Sequence, residues 1–198
     1  MRLLILSVLL SLAVPALGAS WIDHNQCLTG RGDVAIAGCT AVINDAPESA
    51  IRARAYFNRG TAWSFKGDND RGIADYTEAI RLDPKNAEAF NNRCWAGALA
   101  RQLEQALEDC ETSLNLRPGD PHILDSRALV HLKRHDFKKA IADYDAVLKM
   151  NPKNADSFYG RGLAKQKMDD TAGGNADIAA ATSMDGKIAE RFSSYGVK

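Results

Sequence analysis

The sequence predicts an all-α fold, an α-solenoid of antiparallel helix pairs that stack on one another. The main observation is a 34-residue period: Pro84, Pro118 and Pro152 are spaced by 34, and Gly186 lies at the next step. Within each unit, apolar residues recur at helical spacing twice, on either side of a short polar break. Two helices joined by so short a turn lie antiparallel. One pair cannot bury its apolar face alone, so the pairs must stack.

The first 18 residues are predicted to be a secretory signal peptide. Met1 and Arg2 give a positive start, and the stretch 3–14 is almost wholly apolar. This run is shorter than the roughly 20 apolar residues that a membrane-spanning helix needs. We therefore expect cleavage after Gly18 or Ala19, no stable membrane insertion afterwards, and a periplasmic or secreted location. An uncleaved membrane anchor is the alternative.

The composition narrows the range of functions. Lys and Arg total 25, as do Asp and Glu, so the formal net charge is zero. A basic footprint for nucleic acid is therefore lacking. The sequence contains no Gly-rich phosphate loop, nucleophile elbow or H-E-x-x-H motif. We predict neither an enzyme nor a cofactor.

Four columns of the repeat keep one type of side chain through units that begin at residues 53, 87, 121 and 155. Columns 8 and 20 hold small residues, which let the two helices of a pair approach closely. Columns 4 and 24 hold mostly large residues, which fill the space beside the crossing. The residues are Tyr56, Phe90, Leu124 and Phe158 in column 4, Gly60, Cys94, Ala128 and Gly162 in column 8, Gly72, Ala106, Ala140 and Gly174 in column 20, and Tyr76, Cys110, Tyr144 and Ile178 in column 24.

This pattern, with proline at column 32, resembles the tetratricopeptide repeat family over residues 53 to about 185. The resemblance implies a right-handed superhelix whose first helices line a concave face. The fourth unit is degenerate, because Gly173, Gly174 and Asn175 stand where its second helix should start. The expected segments are an N-terminal half-repeat cap over 19–52 and four units over 53–86, 87–120, 121–154 and 155–188. A capping helix is expected near Lys187–Phe192, and its end and a tail make up the last segment, 189–198.

The four cysteines allow three disulfide connectivities. On the repeat, Cys94 in column 8 and Cys110 in column 24 face each other across one helix pair, within reach of a disulfide. Cys39 also takes column 24, and its pairing with Cys27 resembles a staple of the N-terminal cap. Such bonds form in an oxidising compartment. Neither pair is a C-x-x-C motif, which disfavours redox catalysis, and buried free thiols are the alternative.

Arginine recurs at column 7 and aspartate at column 23 of all four units. A cation series matched unit for unit by an anion series indicates a structural ladder of ion pairs between helices. A row of guanidinium groups for an acidic ligand is the alternative. The two series are Arg59, Arg93, Arg127 and Arg161, and Asp75, Asp109, Asp143 and Asp177.

His131 and His135 lie four residues apart, a spacing that zinc sites use on helices. Further ligands are not evident, His131 takes a column that usually packs in the core, and His135 lies in a turn. We therefore predict no metal site.

The resemblance also implies which side chains line the concave face. The predicted contacts with a partner are Phe57, Asn58, Thr61, Phe65, Asn91, Asn92, Trp95, Asp125 and Tyr159. Large rings anchor protein interfaces, although each of them could instead pack against the adjacent unit. Asn58 and Asn92 share column 6, where family members use asparagine to bond a peptide backbone. A clamp for a terminal carboxylate is not expected, because Arg54 alone fits it.

These observations predict a non-catalytic protein-interaction scaffold of the bacterial cell envelope, which binds a partner segment in the concave groove. The envelope assignment rests on resemblance to small exported tetratricopeptide proteins. The alternative is a small-molecule or glycan binding protein, or an accessory subunit of an envelope enzyme. Self-association through the terminal repeat is a further hypothesis, and no nucleic-acid partner is expected.

Overall fold

The computed structural model describes residues 21–46 and 48–197, and within them it contains eleven α-helices and no β-strand. The predicted signal peptide, both cleavage positions and Pro47 lie outside the described residues. No helix in the described part is long and apolar enough to cross a membrane. The helices are α1 (Trp21–Thr29), α2 (Asp33–Asp45), α3 (Ser49–Phe65), α4 (Asn69–Leu82), α5 (Ala87–Leu99), α6 (Leu103–Leu116), α7 (Pro121–Lys133), α8 (Phe137–Met150), α9 (Ala155–Gln166), α10 (Thr171–Met184) and α11 (Ile188–Ser194).

Consecutive helices form stacked pairs, so the predicted helical solenoid is confirmed. Each helix from α1 to α10 packs on its pair partner, and each from α1 to α9 also packs on a helix of a neighbouring pair. Helices α4, α6 and α8 each end two residues before a proline of the 34-residue series. Helix α3 begins at Ser49, one turn before the predicted unit start at residue 53. Arg52 holds this extra turn, because its Nη1 donates to the carbonyl oxygen of Ala46 at 3.0 Å.

The turn inside each helix pair contains one residue with a left-handed backbone conformation, at the same position of every repeat. Gly67, Arg101, His135 and Asp169 are 34 residues apart and have φ angles of 82°, 64°, 64° and 66°. Glycine adopts such angles without strain, whereas the other three residues occupy a sparsely populated region. The tight turn thus imposes one backbone conformation on all four units.

The helix crossings explain the small columns. A Cβ atom on Gly60 would lie 3.0 Å from the ring of Tyr76 and 3.1 Å from the carbonyl oxygen of Gly72. Tyr76 and Tyr144 are the largest fully buried side chains in the described residues. In the second unit, columns 8 and 24 hold Cys94 and Cys110 in place of a small residue and a large ring. These two cysteines form a disulfide, with their Cα atoms 5.4 Å apart.

The glycines of the fourth unit do not interrupt its second helix. Helix α10 begins at Thr171 and runs through Gly173 and Gly174, and the Asp170 side chain accepts from the backbone N–H of Gly173 at 2.9 Å. A Cβ atom on Gly174 would lie 2.7 Å from the carbonyl oxygen of Gly162. Glycine is therefore present because the two helices touch there through their backbones.

Candidate protein-binding groove

The first helices of the units, α3, α5, α7 and α9, lie side by side and form one continuous face. Its N-terminal part is a cavity of about 620 Å³ between α3, α5 and the α1–α2 loop. We call this cavity the N-terminal groove. Its lining includes Leu28, Arg31, Phe57, Asn58, Thr61, Phe65, Glu88 and Asn92.

The N-terminal groove combines apolar rims with polar walls. The side chain of Phe65 is 89% exposed at the end of α3, and that of Leu28 is 55% exposed on α1. Phe57 is half-buried, with its ring centroid 6.0 Å from that of Tyr76. The amide of Asn58 points toward the cap, with Nδ2 4.0 Å from Sγ of Cys27. Large apolar side chains that remain exposed beside amide groups are a chemistry suited to a peptide.

The cap that closes one side of this groove is fixed covalently. Cys27 and Cys39 form a disulfide with their Cα atoms 4.4 Å apart, which joins α1 to α2. An ion pair between Lys66 and Asp33 joins the end of α3 to the start of α2. The α1–α2 loop is thereby held at the groove edge.

Beyond Asn92 lies a smaller cavity of about 330 Å³, the central hollow, which includes Asn91, Asn92, Trp95, His122, Asp125 and Ser126 in its lining. The buried Oδ1 of Asn91 has no hydrogen-bond partner. Ser157 Oγ donates to Asp125 Oδ1 at 2.5 Å. Burial raises the pKa of Asp125 to about 6, and the nearby carboxylate of Asp156 acts in the same direction. The hollow thus contains a carboxyl group that titrates near neutral pH.

The C-terminal part of the face is covered by residues 188–197, which we call the C-terminal segment. Its Tyr195 ring meets Trp95 edge-on, with centroids 5.2 Å apart. Its Phe192 ring lies 4.9 Å from that of Tyr159. Two of the predicted groove aromatics therefore pack against the chain's own end.

The predicted contacts thus fall into three places. Phe57, Asn58, Thr61, Phe65 and Asn92 line the N-terminal groove. Asn91, Trp95 and Asp125 line the central hollow, which Asn92 shares.

The third place holds Tyr159, which lies beneath the C-terminal segment. The prediction did not include Leu28 and Arg31, which also line the N-terminal groove. Leu28 and Arg31 belong to the cap, outside the full repeats, where the columns carry no information.

The arginine series is structural, as predicted. In all four units the guanidinium group donates two hydrogen bonds to the column 23 aspartate, at 2.6–2.8 Å. Arg59 Nη1 also donates to Thr40 Oγ1 at 3.0 Å, on the second helix of the preceding pair. These cations are therefore engaged at the helix seams and are not presented to a ligand.

The two histidines have different environments. His131 is buried, and burial lowers its pKa. His135 lies in the turn with its ring 5.5 Å from that of Phe137. Among the described residues, no group of three or more His, Cys, Asp and Glu side chains is arranged to hold a metal ion.

Comparison with known proteins gives family matches and fold relatives. A model described as TPR repeat matches residues 130–169, and a model described as tetratricopeptide repeat matches residues 57–121. No curated protein matches the sequence. Among solved structures, MamA (41-end) from Desulfovibrio magneticus RS-1 is similar with a TM-score of 0.71 and 15% identity, over 82% of this chain and 90% of that chain.

Two further structures are similar. YrrB, described as a TPR protein with an unusual peptide-binding site, has a TM-score of 0.64 and 18% identity, over 77% of each chain. The first TPR of Spaghetti (RPAP3), bound to HSP90 peptide SRMEEVD, has a TM-score of 0.58 and 22% identity, over 61% of this chain and 95% of that chain. These likenesses show the shared fold. Because the two family models together match more than half of the 198 residues, and the helix pairs follow the same period, the chain belongs to the tetratricopeptide repeat family.

Proposed function

We propose that this protein is a non-catalytic interaction scaffold that binds an extended segment of a partner protein in the N-terminal groove. The observation that carries the proposal is the cavity of about 620 Å³ itself, whose rims expose Phe65 and Leu28 while no described residue fills it. Large apolar side chains that stay exposed together beside polar groups mark protein-interaction sites. Two structural relatives are described with a peptide-binding site or a bound peptide.

The polar groups suit a peptide backbone. Asn58 and Asn92 stand one repeat apart in the same cavity, and each amide both donates and accepts hydrogen bonds. Asn91, which precedes Asn92 on α5, adds a buried amide oxygen without a hydrogen-bond partner in the central hollow. We infer that the peptide lies across α3 and α5, with apolar side chains against Phe57 and Phe65.

The proposal is tested with a random peptide library displayed on phage and selected on the oxidised full-length protein. Affinities of the selected peptides are then measured by fluorescence polarisation. Phe65→Ala and Asn92→Ala should each weaken binding at least tenfold, because each removes a direct contact. Asn175→Ala, an exposed asparagine on α10, is the matched control and should change nothing. Equal affinities for all variants would place the binding site elsewhere.

We further propose that the protein acts in the bacterial cell envelope after export. Two disulfides within 198 residues support an oxidising compartment, and the first 18 residues have the pattern of a signal peptide. Residues 1–25 fused to alkaline phosphatase, which is active only after export, should give activity in a bacterial host. Replacing Leu6 and Leu9 with Arg should abolish it, and activity that persists would argue against this signal.

A further inference from the structure

The C-terminal segment contacts three successive units rather than one. A helix that only closed the end of the stack would need to reach the last pair alone. Here Phe192 lies on Tyr159 of α9, while Tyr195 reaches Trp95 of α5, two units away. The segment therefore crosses the face that the earlier units leave open to a partner.

Polar contacts fix the direction of the crossing. Arg191 Nε donates to Asp156 Oδ1 at 2.9 Å, at the start of α9. Lys133 Nζ, at the end of α7, donates to the carbonyl oxygens of Ala98 and Tyr195, both at 2.6 Å. Burial lowers the pKa of Lys133, and its ammonium group joins the end of the segment to α5.

The segment is held in two unequal parts. Ile188 and Phe192 are almost fully buried and anchor its start against the last unit. Its far end, Tyr195 to Val197, is only partly buried. Gly196, with a φ of 76°, lets the chain turn after Tyr195. Segments with few buried contacts open at low free-energy cost, so the far end leaves the surface first, and a partner that takes its place on Trp95 then displaces the anchor from Tyr159.

We propose that the surface of α5, α7 and α9 under this segment is a second binding site, for a helical segment of a partner protein, and that residues 188–197 are its displaceable internal ligand. The internal ligand defines the chemistry of the partner. The partner carries an arginine for Asp156, followed at positions +1 and +4 by aromatic side chains for Tyr159 and Trp95. A carbonyl group at the end of its helix accepts from Lys133. This site is separate from the N-terminal groove and does not depend on the function proposed for it.

The test uses a labelled synthetic peptide with the sequence of residues 186–198 and the oxidised full-length protein. Phe192→Ala with Tyr195→Ala in the protein removes the two aromatic contacts of the internal segment, while the side chains of α5, α7 and α9 stay as they are; we call this the emptied variant. The peptide should bind this variant at least tenfold more tightly than the wild type, as measured by fluorescence polarisation. Adding Trp95→Ala should weaken that binding at least tenfold. Equal binding to wild type and emptied variant, or no binding to the emptied variant, would overturn the proposal.

Controls separate this site from the N-terminal groove. Phe65→Ala should leave the peptide's affinity unchanged, and a loss would place the peptide in the N-terminal groove and contradict the proposal. A second measurement needs no variant. In the wild type, the backbone amides of Tyr195 and Val197 should exchange hydrogen at least tenfold faster than that of Ala181 in α10. Equal protection would show that the segment does not open separately, which would also overturn the proposal.

Discussion

The two ends of the concave face use the same fold in different ways. At the N-terminal end, a disulfide-linked cap stands beside the face and leaves a cavity with exposed rings. At the C-terminal end, a segment lies on the face and packs against comparable rings. The difference shows that the repeat determines where a groove lies, while the non-repetitive ends determine which part of it is accessible.

The largest expected loss of stability comes from changing the second unit, whose helix α5 contributes to both parts of the concave face. Helix α5 carries Asn92 of the N-terminal groove and Trp95 of the covered part. Replacing Cys94 and Cys110 by Ala removes the disulfide that fixes this helix, and the loop-entropy model predicts a loss of about 3 kcal/mol. Urea unfolding under non-reducing conditions measures the loss, and both binding activities should weaken together. A loss confined to one of the two would contradict the shared role of α5.

Removing the disulfide between Cys27 and Cys39 should destabilise only the N-terminal end of the molecule. Replacing Cys27 and Cys39 by Ala opens a slightly shorter loop, so the loss in the cap should be just under about 3 kcal/mol. Because repeats interact with their neighbours only, hydrogen exchange should accelerate in α1 and α2 but not in α9 to α11. Peptides selected for the N-terminal groove should bind more weakly. Unchanged binding would mean that the cap is not a wall of the groove.

Asp125, in the central hollow between the two ends, should make stability depend on pH. Its folded-state pKa of about 6 lies above the ordinary value of 3.8, so the folded protein binds this proton more tightly than the unfolded chain. Its contribution to the free energy of unfolding therefore decreases as pH rises from about 4 to about 6.

Asp125→Asn removes that dependence. The free energy of unfolding of the variant should equal that of the wild type near pH 4 and exceed it by about 2 kcal/mol above pH 6.5. This difference is smaller than the full pKa shift implies, because the side chain is only partly buried. Urea unfolding at pH 4.5, 5.5 and 7.5 gives the difference. A constant difference across this range would show that Asp125 does not titrate there.

The smallest effect is expected at the C-terminal segment. Arg191 and Asp156 are each about one-third exposed, and such ion pairs contribute about 1 kcal/mol or less. Arg191→Gln should leave the melting temperature nearly unchanged but accelerate hydrogen exchange at Tyr195. Arg81→Gln, in an exposed pair with Glu78 on α4, is the control and should leave Tyr195 unaffected. Slow exchange at Tyr195 in both variants would show that this ion pair does not hold the segment.

The repeat itself was predictable from the sequence. The proline period predicts the helix pairs, and the facing columns of Cys94 and Cys110 predict their disulfide, because both depend on contacts within one unit. The Arg–Asp ladder is predictable for the same reason, since each pair is 16 residues apart in the chain. Local periodicity carries this kind of information well.

The placement of the C-terminal segment was not predictable in the same way. A helix near Lys187–Phe192 was expected, and α11 lies there. However, the contact between Tyr195 and Trp95 joins residues 100 positions apart, and no repeat column relates them. The extra turn of α3 and the cap residues of the groove were missed because they also lie outside the periodic part.

The arginines at column 7 affect how strongly neighbouring units are joined to one another. Arg93 donates to Asp109 in its own unit and, through Nη1, to Thr77 in the unit before it. Arg161 spans Asp177 and Asp145 in the same manner. Separating the units at these two boundaries must therefore break charged hydrogen bonds as well as apolar contacts. Mechanical force from a bound partner would have to break these hydrogen bonds before the units on either side could separate.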